Sequence, residues 1–149
     1  MSDVTIRLAS HADLAGMLAL YRHLNPDDPT PDLAKAAAAW SALLSSGLTK
    51  VIVADLAGLL VSSCTLVIVP NLTRDARPYG VIENVVTHAQ HRQAGLGRAV
   101  LSAALDAAWQ ADCYKVMLAS GSRREATLRF YEGAGFERGG KTFFQVRRR

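Results

Sequence analysis

The stretch HRQAGLGRAVL (His91–Leu101) places two glycines two residues apart, directly before a run of apolar residues at helical spacing. The apolar segment before it, VIENVVTH (Val81–His88), is typical of a β-strand, so the glycines form a strand-to-helix turn. A helix N-terminus offers unpaired N–H groups and partial positive charge, and glycine lets a ligand approach the backbone closely. Arg92 and Arg98 would add charge-assisted contacts. We interpret the stretch as a phosphate-binding turn; the alternative is a purely structural connection with solvated arginines.

Two better-known phosphate motifs do not fit this turn. A Walker A loop needs a lysine followed by a hydroxyl residue after its last glycine, and Arg98 and Ala99 stand there instead. The dinucleotide fingerprint needs a third glycine at position 100, which is Val100. The turn therefore predicts neither a P-loop nor a dinucleotide-binding fold.

The rest of the chain predicts a mixed α/β fold. Two helices follow the first strand, one beginning at Ser10 and one capped by Thr30. A hairpin turning at Ala57–Gly58 comes next. A crossover helix makes the fourth and fifth strands parallel, whereas the other strands are mostly antiparallel, and the apolar fourth strand should be flanked on both sides. The predicted segments are Val4–Ala9, His11–Leu24, Asp32–Ser46, Lys50–Leu56, Gly58–Val69, Val81–His88, Gly95–Asp112, Cys113–Ser120, Arg123–Gly135 and, as a last strand or hairpin, Phe136–Arg147.

Composition limits the classes of protein. With 149 residues, half of them hydrophobic, the chain is expected to form one soluble domain over residues 1–149. The net charge of +4 favours anionic ligands, but no basic stripe interleaved with aromatic residues predicts nucleic-acid binding. With no signal-peptide pattern and no membrane-length apolar run, we expect a cytoplasmic protein without membrane contact. Cys64 and Cys113 lie in apolar runs, so buried free thiols and no metal site are expected.

Two motifs together carry a family resemblance. The pattern Arg92-x-x-Gly95-x-Gly97 follows the predicted fourth strand, and FYEGAGF (Phe130–Phe136) comes one strand and one helix later. In this order the chain resembles the GNAT acetyltransferase superfamily over nearly its whole length. The resemblance implies a central, mostly antiparallel sheet flanked by helices, in which the parallel strands 4 and 5 splay apart. It also implies an N-acetyltransferase that uses acetyl-CoA as co-substrate.

The resemblance assigns cofactor-binding roles to the fourth strand and the turn. The strand would pair its backbone with the pantetheine arm as an added strand, and an N–H near Val85 or Val86 would polarise the thioester carbonyl. Many relatives have an asparagine where this chain has Arg124, so Arg124 or Arg123 would instead reach the 3′-phosphate or remain solvated. The implied arm-binding residues are Val85, Val86 and Thr87, and the implied pyrophosphate-binding residues are Arg92, Gln93, Ala94, Gly95, Leu96, Gly97 and Arg98.

The resemblance also implies catalytic roles. Tyr131 would protonate or hydrogen-bond the departing thiolate; the alternative is an aromatic residue that packs the fourth helix on the sheet. Glu83 would take the amine proton through water, or else form a salt bridge. The segment IENVVT resembles the strand of glucosamine-phosphate acetyltransferases, which carry an acidic pair there; here the second residue is Asn84, which puts that sugar substrate in doubt. His88 and His91 are interpreted as surface residues. Nothing indicates a cysteine nucleophile, so direct transfer is expected.

The acceptor is the least determined part of the prediction. It would be enclosed by the early helices and the loops Asn25–Pro31 and Pro70–Gly80. Arg74 and Arg77 suggest a small amine that carries an anionic group, while protein or peptide N-termini remain an alternative. A non-catalytic acyl-CoA-binding module is the competing class of function. A homodimer is possible through the terminal segment Lys141–Arg147.

Overall fold

The computed structural model describes residues 3–149, which contain five strands, four right-handed α-helices, two 3-10 helices (His11–Asp13 and Ala89–His91) and one four-residue turn in which residues 74–76 have left-handed backbone. The chain divides into two compact units, one ending at Met117 and one beginning at Leu118. We call them the N-terminal unit and the C-terminal unit, and describe each by itself. The strands are β1 (Val4–Leu8), β2 (Thr49–Leu56), β3 (Leu59–Val69), β4 (Tyr79–Thr87) and β5 (Val116–Leu118); the α-helices are α1 (Leu14–Tyr21), α2 (Leu33–Ser45), α4 (Leu96–Gln110) and α5 (Glu125–Gly133), and the four-residue turn is α3 (Thr73–Ala76).

The strands form a mixed sheet in the order β1-β2-β3-β4-β5, in which β1 to β4 are antiparallel neighbours and β4 and β5 are parallel. This confirms the predicted fold class, including a fourth strand flanked on both sides. The N–H of Gly80 in β4 donates to the carbonyl of Lys115 at 2.9 Å, so β5 begins alongside Gly80. β5 has only three residues, so it is shorter than the predicted segment Cys113–Ser120.

The β2–β3 hairpin turns where the sequence predicts. Ala57 (φ 49°) and Gly58 (φ 94°) are both left-handed, as a two-residue hairpin turn requires. The Gly58 N–H donates to Asp55 Oδ1 at 2.7 Å. Arg7 of β1 pairs with Asp55 at 2.9 Å and with Asp13 at 2.7 Å, so an ion-pair network anchors the base of this turn.

One predicted helix start is confirmed and one is wrong. Ser10 and Asp13 form a reciprocal capping box before α1. Thr30, however, does not cap α2: the cap is Asp32, whose carboxylate accepts from the N–H of Lys35 at 3.1 Å. A carboxylate at this position accepts from a free amide, as a threonine hydroxyl would. Its negative charge also interacts favourably with the helix dipole, which an uncharged hydroxyl does not provide.

The core lies on both faces of the sheet. Residues 51–54 of β2 are all buried, because Val51 and Val53 face the cluster under α1 and α2 while the intervening residues face the other side. On that other side Cys64 donates to the carbonyl of Val100 in α4 at 3.4 Å. The cluster under α1 and α2 contains Met17, Leu20, Trp40, Val51, Val53, Leu60 and Val86, and the buried face of α4 contains Val100, Leu101, Ala104 and Ala108.

The predicted last strand or hairpin over Phe136–Arg147 is wrong. Residues 136–149 contain no strand, although Gly139 and Gly140 have left-handed backbones (φ 88° and 79°). Aromatic and β-branched residues favour a strand, but a strand also needs a partner for its N–H and C=O groups, and no described strand pairs with this segment. Phe143 and Phe144 accordingly remain 65% and 85% exposed.

Among residues 3–149 no helix is both long enough and apolar enough to span a bilayer, and no group of three or more metal-type side chains is placed to hold an ion.

Candidate functional site

A bulge interrupts β4 in its middle. Ser63 of β3 stands opposite Val86 and Thr65 stands opposite Glu83, so two residues of β4 lie across from one of β3. The extra residue is Asn84, whose φ of 53° is left-handed. Bulges of this kind bend a strand and leave one residue outside the ladder of hydrogen bonds.

Beyond the bulge, alternate residues of β4 face opposite sides. The carbonyl of Val86 accepts from Ser62 Oγ at 3.0 Å, and the N–H of His88 donates to the carbonyl of Val61 at 2.8 Å, so both face β3. Val85 lies between the bulge and Val86, and its N–H and C=O therefore point away from β3. β5 ends at Leu118, so β4 continues past it on that side.

The glycine turn after β4 presents free amides. Gln93 (φ 64°) and Gly95 (φ 78°) are left-handed, and Gly95 is the N-cap of α4. The first helical hydrogen bond runs from the N–H of Ala99 to the carbonyl of Gly95 at 3.0 Å. The amides of Leu96 and the two residues after it thus have no partner within the helix. A Cβ on Gly95 would meet no atom within 4 Å, so the space before the helix is open.

The two arginines of the turn differ in role. Arg92 Nε donates to the carbonyl of Thr87 at 3.3 Å and its Nη2 donates to the carbonyl of His23 at 3.5 Å. Arg92 therefore joins the end of β4 to the segment that follows α1. Arg98 is exposed in the first turn of α4, and within the N-terminal unit it forms no hydrogen bond or ion pair. Its guanidinium is available to an anion bound at the helix N-terminus.

Three histidines lie together beside the turn. The ring of His88 is 4.1 Å from that of His23 and 5.1 Å from that of His91. His88 Nδ1 accepts from the N–H of Gln90, and His23 Nδ1 accepts from the N–H of Ala89, both at 3.2 Å. Burial, with these neighbouring groups, lowers the pKa of His88. His88 thus supports the backbone before the turn, which the interpretation of a simple surface histidine did not include.

A groove of about 320 Å³ opens beside the bulge. Arg22 and Asp28 give it charges of both signs, and Asn84 brings the bulge to its wall. The groove is lined by Leu18, Tyr21, Arg22, Leu24, Asn25, Asp28, Pro29, Thr30, Pro31 and Asn84. Its wall thus includes the loop Asn25–Pro31 that the sequence placed around the acceptor.

Tyr21 lines the groove and contacts two strands of the sheet. The sequence did not identify this residue as functional. Its phenol is hydrogen-bonded to the side chains of Thr65 and Asn84. Burial raises the pKa of Tyr21, and those two hydrogen bonds oppose the rise. Its sequence signal is one aromatic residue at helical spacing, which is the same signal that ordinary core residues give.

Glu83 precedes the bulge and is exposed. Its partner in β3 is Thr65, so it lies on the face of the sheet that α1 covers. Within the N-terminal unit Arg7 pairs with Asp13 and Asp55, and Arg77 pairs with Asp112, whereas the Glu83 carboxylate takes part in no ion pair. The salt-bridge interpretation of Glu83 therefore has no partner in this unit.

Arg74 and Arg77, predicted to recognise an anionic acceptor, lie near the beginning of β4. Arg77 Nη2 donates to Asp112 Oδ1 at 3.1 Å, and the Arg74 guanidinium lies 5.6 Å from the centre of the Tyr114 ring. Asn84, at the groove, lies farther along β4. The two side chains thus have local partners in the N-terminal unit.

The two predicted residues of the C-terminal unit lie on α5. Arg124 is its N-cap, and the Arg124 N–H donates to Ser122 Oγ at 3.2 Å. The Tyr131 ring meets the edges of Phe130 and Phe136, at centroid distances of 5.0 and 6.3 Å. The Tyr131 ring thus packs against two aromatic rings of its own unit.

Both cysteines are buried and free, as predicted. Burial raises the pKa of Cys64 to about 12 and also raises that of Cys113. Both side chains are thus thiols at neutral pH, and neither has the lowered pKa of a nucleophilic cysteine.

The chain is similar to known acetyltransferases in sequence and in structure. The model of the acetyltransferase (GNAT) family matches residues 17–136. A glucosamine 6-phosphate N-acetyltransferase of Trypanosoma brucei brucei is 35% identical over 90% of this chain and 89% of its own length. A solved structure from Agrobacterium tumefaciens str. C58, provisionally named an acetyltransferase, is 46% identical with a TM-score of 0.92, covering 97% of this chain and 99% of that one.

A more distant structure shares the fold. An aminoglycoside N-acetyltransferase, AAC(6′)-Iy, solved in complex with CoA, has a TM-score of 0.83 at 17% identity, covering 99% of this chain and 97% of that one. The two solved structures share the fold described above. The chain belongs to the GNAT acetyltransferase family.

Proposed function

We propose that residues 1–149 form one acetyl-CoA-dependent N-acetyltransferase domain that acts directly on the primary amine of a small polar acceptor. The main support for the proposal is that a bulge in β4 is followed along the chain by a glycine turn at the N-terminus of α4. The first turns the Val85 amide outward, and the second leaves amides free at a helix N-terminus. Together they suit a ligand with an extended amide-containing arm and a diphosphate.

The residues present fit acetyl-CoA. The amides of the first turn of α4 would hold the pyrophosphate, helped by Arg98, while Arg92 holds the turn itself in place. Gln93, Ala94 and Gly95 shape the approach, since the left-handed backbone at positions 93 and 95 makes it concave. Val85 and Thr87 would pair with the pantetheine arm, and Val86 holds this segment of β4 on β3. Arg124 is proposed to contact the 3′-phosphate.

The chemistry assigns one task to each group. Acetyl-CoA supplies the acetyl group, and Glu83 accepts the proton of the acceptor amine through water. The Val85 N–H donates to the carbonyl oxygen as negative charge develops on it. The amine nitrogen bonds to the acetyl carbon as the carbon–sulfur bond breaks, and Tyr131 donates a proton to the sulfur so that CoA leaves as the thiol. No covalent enzyme intermediate is needed.

The acceptor is proposed to lie in the groove beside Asn84. Arg22 suits an anionic substituent, and Asp28 suits an amine or hydroxyl group. Arg77 is less suited to the acceptor because its guanidinium is already paired with Asp112. The Trypanosoma relative is named for glucosamine 6-phosphate, which combines these features. Asn84 replaces one member of the acidic pair expected for that sugar, so a small amine of mixed charge is the proposed class and hexosamine phosphates are the first compounds to test.

A homodimer is proposed through the C-terminal segment. Phe143, Phe144 and Val146 are 65%, 85% and 96% exposed, which is unfavourable in water unless they are covered. Sedimentation of the full chain should report a dimer, and F143S/F144S should shift it to monomer. A monomeric full chain at micromolar concentration would refute this part.

The test of the proposed function is thiol release from acetyl-CoA across a panel of amines. The panel contains glucosamine 6-phosphate, glucosamine, an aminoglycoside and a peptide with a free N-terminus. We expect turnover with a small amine, lowered at least tenfold by Tyr131→Phe and by Glu83→Gln, but unchanged by Tyr114→Phe. Acetyl-CoA binding without turnover of any amine would instead support an acyl-CoA-binding module, and turnover of the peptide alone would support an N-terminal acetyltransferase.

A further inference from the structure

The bulge in β4 has an unusual backbone conformation. Asn84 has a left-handed backbone inside a strand, a conformation that is unfavourable for any residue with a Cβ and least so for asparagine. A left-handed residue of this kind persists only where its surroundings hold it. The orientation of the next residue, Val85, depends on it, because reversion of the bulge would shift the alternation of β4 by one residue.

Tyr21 holds the bulge from outside the sheet. Its phenol is hydrogen-bonded to Asn84, the bulged residue, and to Thr65, which faces Glu83 across the two strands. The Tyr21 ring packs against the core cluster under α1 and α2, and this packing places its hydroxyl beside the bulge. Thr65 is only 6% exposed, so its contact with Tyr21 is shielded from water.

We infer that Tyr21 is a positioning residue for the proposed reaction: its hydroxyl holds Asn84 in the left-handed conformation, and the Val85 N–H thereby stays aimed at the thioester carbonyl. This inference rests on the proposed function. Tyr21 and Asn84 also line the acceptor groove, so the same contact joins the acceptor wall to the donor strand. Tyr21 touches no reacting atom and acts through Asn84.

The inference is tested by a double-mutant cycle. Tyr21→Phe keeps the ring and its packing but removes the hydroxyl, so we expect kcat to fall about tenfold while the Kd for CoA, which is set at the turn before α4, changes less than twofold. Glycine takes a φ of 53° without strain. In the Asn84→Gly background, Tyr21→Phe should therefore lower kcat less than twofold further. Tyr114→Phe serves as the matched control and should change neither quantity.

Two kinetic results would overturn the inference. One is an unchanged kcat in Tyr21→Phe with a lowered Tm, which would make the hydroxyl merely stabilising. The other is an equal loss of kcat in both backgrounds, which would make the hydroxyl act independently of the bulge.

A second readout separates this inference from the proposed function. If wild-type protein acetylates no amine, the proposed function fails, but the backbone of residue 84 can still be measured by NMR. The HN–Hα coupling of Asn84 should change from its left-handed value in Tyr21→Phe and remain unchanged in Tyr114→Phe. A left-handed Asn84 in Tyr21→Phe would refute the inference whatever the activity.

Discussion

The hairpin turn at Ala57–Gly58 and the turn before α4 each contain a left-handed non-glycine residue and a left-handed glycine. They differ in whether their backbone N–H groups already have hydrogen-bond partners. In the hairpin turn the Gly58 N–H is satisfied by Asp55, which is itself paired with Arg7. In the turn before α4 the amides that follow Gly95 have no partner within the helix. The comparison teaches that left-handed glycines do not by themselves make a binding site; what matters is whether the neighbouring donors are already satisfied.

The largest difference between the turns should appear when each glycine becomes alanine. Both positions have positive φ, so each substitution strains the backbone by about 1–2 kcal/mol. For Gly95→Ala we expect the Kd for acetyl-CoA, measured by calorimetry, to rise about tenfold or more. For Gly58→Ala we expect a lower Tm and an unchanged Kd. Equal effects of the two substitutions on Kd would contradict the account.

Arg98 should contribute less than the backbone. Its side chain is exposed, so its attraction to the diphosphate is screened by salt. Arg98→Gln should raise the Kd for acetyl-CoA about three- to tenfold at low salt and less at high salt. Lys35→Gln, which removes an exposed cation from α2, is the matched control and should leave the Kd unchanged. A loss that does not depend on salt would argue against a direct phosphate contact.

The hairpin turn should instead control acid stability. Arg7 lowers the pKa of Asp13 to about 2 and also lowers that of Asp55, from an ordinary value of 3.8. Because these folded-state values lie below the unfolded ones, the stability they give is present above about pH 4 and is lost as the pH falls toward 2. Asp55→Asn should lower the free energy of unfolding at pH 7 by about 1–2 kcal/mol and weaken its acid dependence, with the Kd for acetyl-CoA unchanged. An undiminished acid dependence would refute this.

The smallest expected effect concerns His88. Burial, with His23, His91 and Arg92 nearby, lowers its pKa below the ordinary 6.5. The unfolded chain then binds the proton more readily, so stability falls as the pH decreases through about 6.5. Thermal unfolding at pH 7 and pH 5 should show a Tm difference that His88→Gln reduces by about 1–2 °C. A larger pH dependence in the variant would contradict this cause.

Local patterns in the sequence predicted the fold and the glycine turn well. Strand periodicity, Ala57–Gly58 and the Ser10–Asp13 cap are each decided by neighbours in the chain, and the structure confirms them. The predicted cap Thr30 is wrong and Asp32 caps α2, because the sequence alone does not show which side-chain oxygen reaches the free amide.

Features that depend on distant partners were not predictable. The segment around Phe143 has the aromatic and β-branched residues of a strand but no strand to pair with in the described structure. The bulge at Asn84 is set by the register with β3, and Tyr21 is recognised as important only once α1 has been placed beside that bulge. Single-sequence periodicity contains neither relation.

The central claim is that the Val85 amide and the first turn of α4 together receive the acetyl donor. The most direct measurement is a titration of isotopically labelled protein with acetyl-CoA, followed through the backbone amide signals. We expect the largest shifts at Val85, Gly95 and Gly97, while the Gly58 signal stays in place. Saturating acetyl-CoA that moves none of these three signals, or that moves mainly signals elsewhere in the chain, would contradict it.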